Sequence, residues 1–502
     1  MSPMPERSGN PVHAVVFLYP LQGHIIPTYN LAKKIAANGV LVTLVCTEGC
    51  YARITKANGG RDPFADEATS LALPITTALV SDGLPADFDR SLHFEDFDYS
   101  LLNKMESHVE EFMRELQAKE PPISCIIADT FFVWAERIAK KFRVPYASFW
   151  TEPAMVFSIY YNWNLLIQNG HHPFRGNEAD VINYIPGTRD LIITDLPSYL
   201  QEWDVSTLVH RVIYAAFQSV RGADWIISNT VHELEAQIVE EVEAQARIPY
   251  LSVGPLLPSH LVDGQGVGVK VGASMWAESD CRNWLDGKAK SMVIYVSFGS
   301  YAHVSKAQII ELAMGLLQSQ RLFVWVLRPD IVASDEQDIL PEGFLQKCKG
   351  QGMVVQWTSQ LDMLSHPSVG GFLTHCGWNS VMESLWLGVP MLAFPLLTDQ
   401  YTNCRLVVDE WQVAMRLGRT RRSLHNMRSD LVGREEIART VEKFMDMDGE
   451  EGGKIRSNVH NVREVMKKAV LNGGSSPKNL GLFVEELKAR GCSQVSEKSP
   501  QV

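Results

Sequence analysis

The stretch Trp357 to Gln400, WTSQLDMLSHPSVGGFLTHCGWNSVMESLWLGVPMLAFPLLTDQ, decides the fold. Its apolar run Val369–Thr374 reads as a buried strand and His375-Cys376-Gly377 as a turn. Trp378-Asn379-Ser380 then opens a helix with Val381, Leu385 and Trp386 on its apolar side. Gly388 ends that helix, Pro390 follows, and Met391–Phe394 forms the next strand. A glycine turn from strand into helix leaves backbone N–H groups free at the positive end of the helix dipole, an anion site best suited to phosphate. Glu383 stands one turn along the helix, and Asp399 and Gln400 come just past the next strand. Phosphate donors, a carboxylate able to hold a diol and a polar pair are thus gathered in one segment, as a nucleotide sugar requires.

This segment resembles the signature box of plant UDP-dependent glycosyltransferases, which modify small molecules on a two-domain GT-B fold. The HCGWNS core, the closing DQ and the full length of the box carry the resemblance, which extends from about Val12 to Gly491. It implies an α/β fold: GT-B, two doubly wound Rossmann-like domains facing a central cleft. The expected division is an acceptor-binding domain over 1–255, a linker over 256–290 and a UDP-sugar-binding domain over 291–475. A helix crossing back to the first domain and a polar tail complete it over 476–502.

Size and composition agree with a two-domain reading. The chain has 502 residues, long for one core, with 46% hydrophobic and 21% charged residues, an ordinary globular balance. A net charge of −12 argues against nucleic acid or an anionic membrane as the main partner. The first eleven residues lack the basic start and apolar run of a secretory signal, and no apolar run is long enough to span a bilayer. The tail lacks a lipidation box, and no N-x-Ser/Thr sequence occurs. Eight scattered cysteines without paired spacing read as free thiols. Together these features point to the cytosol, with a monomer as the default.

In the first half, His13–Tyr19 reads as a parallel strand, Pro20–His24 as a loop, and Pro27 as a residue of the first helical turn. Val40–Cys46 is the second strand, so the chain opens as a doubly wound domain with ligands expected at the strand's carboxyl end, where His24 lies. Ile123–Ala128 is a further strand with Asp129 at its end, Phe131–Phe142 a helix and Pro145–Trp150 a strand followed by Thr151. A lone histidine is more often structural, and an Asp at a strand end is often a helix cap. Parallel strands, however, put their carboxyl ends on one edge, so His24 and Asp129 can be neighbours. A carboxylate beside an imidazole fixes its tautomer and makes a general base able to take a hydroxyl proton. PLQGHIIP and IIADTF resemble the family's catalytic His and Asp segments, which assigns His24 and Asp129 to catalysis.

The resemblance extends to the donor site. Trp357 offers a flat face for uracil, and Thr358 a backbone contact to the base. Gln360 and Glu383 suit the ribose hydroxyls. His375, Asn379 and Ser380 at the helix start, with Ser300 after the strand Met292–Phe298, would hold the diphosphate. Trp378, Asp399 and Gln400 would meet the sugar hydroxyls, with Thr151 from the other domain. Thr358-Ser359 replaces the family's commonest Ala-Pro pair, and Gln400 rather than His is the family's usual mark of a glucose donor. The resemblance implies UDP-glucose as co-substrate without further cofactor or metal, and one displacement that yields a β-glycoside.

The acceptor side is less patterned. Ser81–Asp98 reads as an acidic loop, and Glu152–Trp203 is rich in aromatics. Core packing explains most of these rings, although loops over a sheet edge are where an apolar acceptor pocket is built. Asp87-x-Asp89, Asp96-x-Asp98 and Asp446-x-Asp448 look like metal-binding DxD motifs but read as solvated charges. A hydrolase, an epimerase or a non-catalytic nucleotide-sugar-binding protein on the same fold stand as alternatives.

Overall fold

A computed structural model describes residues 11–496 apart from 86–87, 91–92, 120, 178–179, 263–274, 333–338, 419–430 and 447–448. Nine strands precede residue 253: β1 His13–Phe17, β2 Leu41–Thr47, β3 Ile75–Val80, β4 Cys125–Asp129, β5 Tyr146–Trp150, β6 Val181–Ile182, β7 Leu191–Ile192, β8 Trp225–Ser228 and β9 Tyr250–Ser252. Six follow: β10 Val293–Ser297, β11 Leu322–Val326, β12 Gly352–Val355, β13 Val369–Thr374, β14 Met391–Ala393 and β15 Ala414–Arg416. The first large sheet has seven strands in the order β3-β2-β1-β4-β5-β8-β9, and the second has six in the order β12-β11-β10-β13-β14-β15; β6 and β7 pair as a separate ribbon. Every pairing within the two large sheets is parallel. The strands read as near-continuous apolar runs because helices cover both faces of a parallel sheet.

In both sheets the strand order reverses once, between β1 and β4 and between β10 and β13. A doubly wound sheet leaves a crevice at that reversal, outside the carboxyl ends of the strands. The register sets Phe17 beside Ala128 in the first sheet and Ser297 beside Thr374 in the second. His24 and Asp129 therefore stand at one crevice, and Ser300 and His375 at the other. This is the GT-B arrangement of two Rossmann-like units expected from the sequence.

The structure departs from the sequence reading at several points. Pro27 lies well inside the helix Gln22–Ala37, which begins earlier than the first-turn position assigned to that proline. The expected helix from Phe131 begins only at Ala135. Asp129 holds the intervening turn, its Oδ1 accepting from the Phe131 N–H at 3.0 Å. Strand β3, half exposed and rich in threonine, and the short β15 carry no continuous apolar run and were not expected. Of the linker, Ser259–Val262 and Arg282–Asp286 are short helices, while Gly264, Gly266, Gly268 and Gly272 lie outside the described residues, as does the charge run 419–422.

The last helix, Ser475–Ser496, packs against the first sheet. Leu480, Phe483, Val484 and Leu487 join the core built by β1, β2 and β8. The Trp225 indole donates to Glu486 at 2.8 Å, and Arg490 pairs with Asp224 at 2.7 Å. Seven described cysteines are buried and free. Among the described residues no helix is long and apolar enough to cross a membrane.

Candidate active site

A cleft of about 1100 Å³ runs between the two sheets and is lined by residues of both. His24, Thr151, Ser300, Trp357, Thr358, Gln360, His375, Trp378, Asn379, Ser380, Glu383, Asp399 and Gln400 all line it. Asp129 lies just behind, 1% exposed, with Oδ2 at 2.7 Å from His24 Nδ1. The carboxylate can only accept, so it fixes the proton on Nδ1 and leaves the Nε2 lone pair as the basic position. Thr151 Oγ1 lies 3.1 Å from the same Nδ1, so this hydroxyl is seated on the imidazole. Tyr19 and Phe131 flank the ring, their centroids 5.1 and 5.8 Å from it.

Across the cleft, the turn after β13 places Cys376 at φ +66°, a left-handed conformation that costs a non-glycine residue roughly 1–2 kcal/mol. Gly377 then caps the helix Trp378–Leu387 without any side-chain acceptor. The first N–H groups of that helix consequently have no intrahelical partner. His375 is wedged between two glycines: a Cβ at Gly299 or at Gly377 would lie 2.5 Å from its Nε2. Burial, and then the charge of Arg328, push its pKa down to about 3, so the imidazole is neutral and offers one N–H rather than a charge. Arg328 is itself 1% exposed. Among the described residues its Nε and Nη1 lack a hydrogen-bond partner, and Asp330 stands 3.6 Å from Nε. Its Nη2 donates to the Ala302 carbonyl, so a partly compensated cation stands close to His375.

Deeper in the donor half, Gln360 donates to Ser380 Oγ at 3.0 Å and to Glu383 Oε2 at 2.7 Å. Burial raises the Glu383 carboxyl to about 7, against the opposing hydrogen bond from Gln360. Trp357 stacks on Trp276, centroids 5.7 Å apart and 24° from coplanar. The Thr358 hydroxyl is tied to the Ser279 carbonyl at 2.8 Å, so only its backbone is open to a base.

Three expected sugar contacts are partly engaged by the protein itself. The Trp378 indole N–H donates to the Asn229 carbonyl at 2.7 Å and cannot meet a sugar hydroxyl while it does so. Gln400 accepts from the N–H groups of Leu396 and Leu397, each at 3.0 Å, which leaves its amide NH₂ free to donate. Asp399 accepts from Thr398 at 2.7 Å and Asn403 at 2.5 Å, and burial raises its pKa. Asn379 donates across the cleft to the Gly23 carbonyl at 2.8 Å.

Several residues in or against this cleft are not singled out by the sequence reading. Trp276 falls in a stretch read as linker, Arg328 follows an apolar strand, and Gly23 is distinguished only by Pro27 four positions later. Glu152 lines the cleft with Oε2 buried and unpartnered among the described residues; burial and the nearby Asp399 and Asp129 raise its pKa. Asp98, read as a solvated charge, is only 7% exposed, because its segment is the helix Phe94–Asn103 and not a loop. Asp96 is exposed as expected, while Asp87 and Asp448 lie outside the described residues. Of the aromatics between 152 and 203, Tyr160 and Tyr199 line the cleft, whereas Phe157, Tyr161 and Trp163 belong to the core.

Comparison with known proteins gives the family and the fold. The family described as UDP-glucoronosyl and UDP-glucosyl transferase matches residues 271–429. UDP-glycosyltransferase 86A1 of Arabidopsis thaliana is 42% identical over 485 residues, covering 95% of each chain. Among solved structures, UGT73P12 of Glycyrrhiza uralensis, complexed with glycyrrhetinic acid 3-O-monoglucuronide, superposes with a TM-score of 0.82 at 25% identity, covering 97% of this chain and 98% of its own. UGT71G1 of Medicago truncatula, complexed with UDP-glucose, gives 0.76 at 25% identity, covering 95% and 98%.

Proposed function

Because this chain belongs to the UDP-glucoronosyl and UDP-glucosyl transferase family and is a glycosyltransferase, we propose that it moves glucose from UDP-glucose to a hydroxyl (or carboxyl) of a lipophilic small molecule with inversion at the anomeric carbon. The observation that carries this reading is the placement of the His24–Asp129 pair and the His375 cradle on one cleft. His24 Nε2 takes the acceptor's proton as its oxygen bonds to the anomeric carbon, and Asp129 holds the imidazolium that results. The bond from that carbon to the diphosphate breaks, and UDP leaves with the electron pair. Its charge is met by Ser300, the His375 N–H and the helix N–H groups around Asn379 and Ser380, with Arg328 behind them. One displacement from an α-linked donor gives a β-glycoside. These groups supply positive potential where a metal would otherwise act, so the reaction we assign needs none.

Trp357 and the Thr358 backbone take the uracil, and Gln360 and Glu383 the ribose. Asp399 and the free NH₂ of Gln400 take the sugar, with Thr151 near the reacting carbon. Glucose as donor is supported by Gln400 and by the neighbour solved with UDP-glucose. The acceptor enters from the side of Tyr19, Phe131, Tyr160 and Tyr199. We assign residues 1–255 to an acceptor domain, 256–290 to the linker, 291–475 to the donor domain and the remainder to the returning helix and tail. One chain supplies both walls of the cleft, so a monomer is the functional unit; unpaired buried thiols favour the cytosol, and the plant relatives a role in plant secondary metabolism.

Incubation with UDP-glucose and a panel of phenols and alcohols tests the reading. Mass spectrometry should show hexosides, and NMR a β-anomeric proton, with turnover unaffected by chelator. Free glucose or an epimerised nucleotide sugar without any glycoside would overturn it.

A further inference from the structure

The helix Phe94–Asn103 forms one wall of the acceptor side of the cleft. Phe94, Phe97, Asp98 and Leu101 fall at the spacing of a single helical face, an apolar stripe interrupted by one carboxyl. Phe97 is 2% exposed and Leu101 5%, so the stripe is the buried face, and Asp98 sits in it at 7%. A charge on such a face is costly unless it is paired. Among the described residues nothing donates a hydrogen bond to Asp98 and no cation pairs with it. Arg90, which also lines the cleft, is committed to Asp82 at 2.6 Å.

What surrounds Asp98 is aromatic. Tyr19, Tyr199 and Tyr301 each feel its charge, and Phe94 packs on Tyr301 at 5.1 Å. Tyr19 also borders His24, so the carboxyl lies on the acceptor side of the base and not among the donor residues. Burial, with the neighbouring Glu95 adding to it, raises the Asp98 carboxyl to about 7. An unpartnered carboxyl opening into an aromatic-walled cavity is an incomplete hydrogen-bond site.

Resting on the glucosyl-transfer reading above, we propose that Asp98 receives a second hydrogen-bond-donating group of the acceptor, remote from the hydroxyl that is glycosylated, and excludes acceptors that carry a carboxylate there. The substrate class is therefore a neutral or basic aromatic or alicyclic compound with two polar ends, one reacting at His24 and one held at Asp98. Once Asp98 is ionised, a methoxy group in the second position leaves the carboxylate unpaired, and a carboxylate there meets it with like charge.

Two matched acceptor sets test this: hydroquinone, 4-methoxyphenol and 4-hydroxybenzoate, and the longer 4,4′-dihydroxybiphenyl, its monomethyl ether and 4′-hydroxybiphenyl-4-carboxylate. For each, kcat/KM with UDP-glucose and the binding constant from tryptophan quenching are measured at pH 8.5, where Asp98 is ionised, in wild type, Asp98→Asn and Asp98→Leu. In at least one set, wild type should favour the diol over the ether by about 10- to 100-fold, with the carboxylate weakest. Asp98→Asn should narrow the diol preference and admit the carboxylate about tenfold better, while the UDP-glucose KM stays unchanged. Asp98→Leu should invert the order of diol and ether. Equal treatment of diol and ether by wild type in both sets, no binding of either, or a uniform loss for all acceptors in Asp98→Asn would overturn the proposal. Diol-selective binding that depends on Asp98 without any glucoside formed would instead uphold it and sink the transfer reading.

Discussion

Asn379, second residue of the helix that forms the phosphate cradle, donates its side-chain amide to the carbonyl of Gly23 at 2.8 Å, one residue from His24. That carbonyl lies inside the helix Gln22–Ala37 and would ordinarily accept from the N–H four residues on. The residue there is Pro27, which has no N–H. The proline thus frees a carbonyl that the opposite half of the molecule uses, tying the base side of the cleft to the donor side.

Pro27→Ala restores the competing donor. Asn379→Ala in the wild-type background should cost about 1 kcal/mol or less, as fits a hydrogen bond at the rim of the cleft. In the Pro27→Ala background the same change should cost measurably less. Urea titrations of the four proteins in a double-mutant cycle measure the difference. Equal costs in both backgrounds would mean that the proline has no part in the bridge.

The His24 and Asp129 geometry makes a second prediction. His24→Ala removes the base and should lower kcat by about 10²- to 10⁴-fold. Asp129→Asn leaves the position filled but can present an N–H to Nδ1, which favours the wrong tautomer, so a loss in the same range is expected. Neither change touches the donor half, and UDP affinity by calorimetry should stay within about twofold of wild type. A large drop in UDP affinity for either variant would place the pair in donor binding.

The two glycines around His375 give a third. Gly377→Ala brings a Cβ to 2.5 Å from the ring's Nε2 without backbone strain, so the imidazole must turn out of the cradle. UDP should bind about tenfold more weakly or worse, with acceptor KM little changed. Gly453→Ala, where a Cβ meets nothing within 4 Å, is the control and should bind UDP as wild type does. Unimpaired UDP binding in Gly377→Ala would show that the ring does not hold the diphosphate.

Much of the donor site is legible in the sequence, and the reason is local. From β13 through Gln400 the donor residues lie close together in sequence, so strand, turn and helix spacing places them without knowledge of distant contacts. Strands such as Val369–Thr374 are apolar throughout because both faces are buried, and that run marks them in the sequence. The acceptor side was not legible in the same way. Asp98 reads as a solvated acid in the sequence because its helix has an acidic exposed face, Glu95 and Asp96, which masks the apolar stripe behind it. Trp276 and Arg328 act through partners remote in sequence, and β3 is too exposed for an apolar pattern to mark it. The Asn379–Gly23 bridge depends on the closeness of two domains, which no spacing within either one encodes.

Glu383 makes the cleft sensitive to pH. Burial raises its carboxyl from 4.5 to about 7 in the folded protein. Between those values the folded chain holds a proton that the unfolded chain has released, so stability of the ligand-free protein falls as pH rises through the window. Binding works in the opposite direction. The ionised carboxylate is the form that accepts two ribose hydroxyls, so donor affinity should rise with pH up to about 7 and then level off. UDP-glucose is the appropriate probe, because its diphosphate is esterified at both ends and does not titrate here. Calorimetry at pH 6 in two buffers of different ionisation heat should show up to one proton released on binding, and that release should vanish at pH 8.5. Glu383→Gln should flatten both the affinity profile and the proton release, and should reduce the loss of thermal stability between pH 5 and 7. Proton release that persists in Glu383→Gln would assign it to another group of the cleft, and a profile that falls with pH would remove the carboxylate from ribose binding.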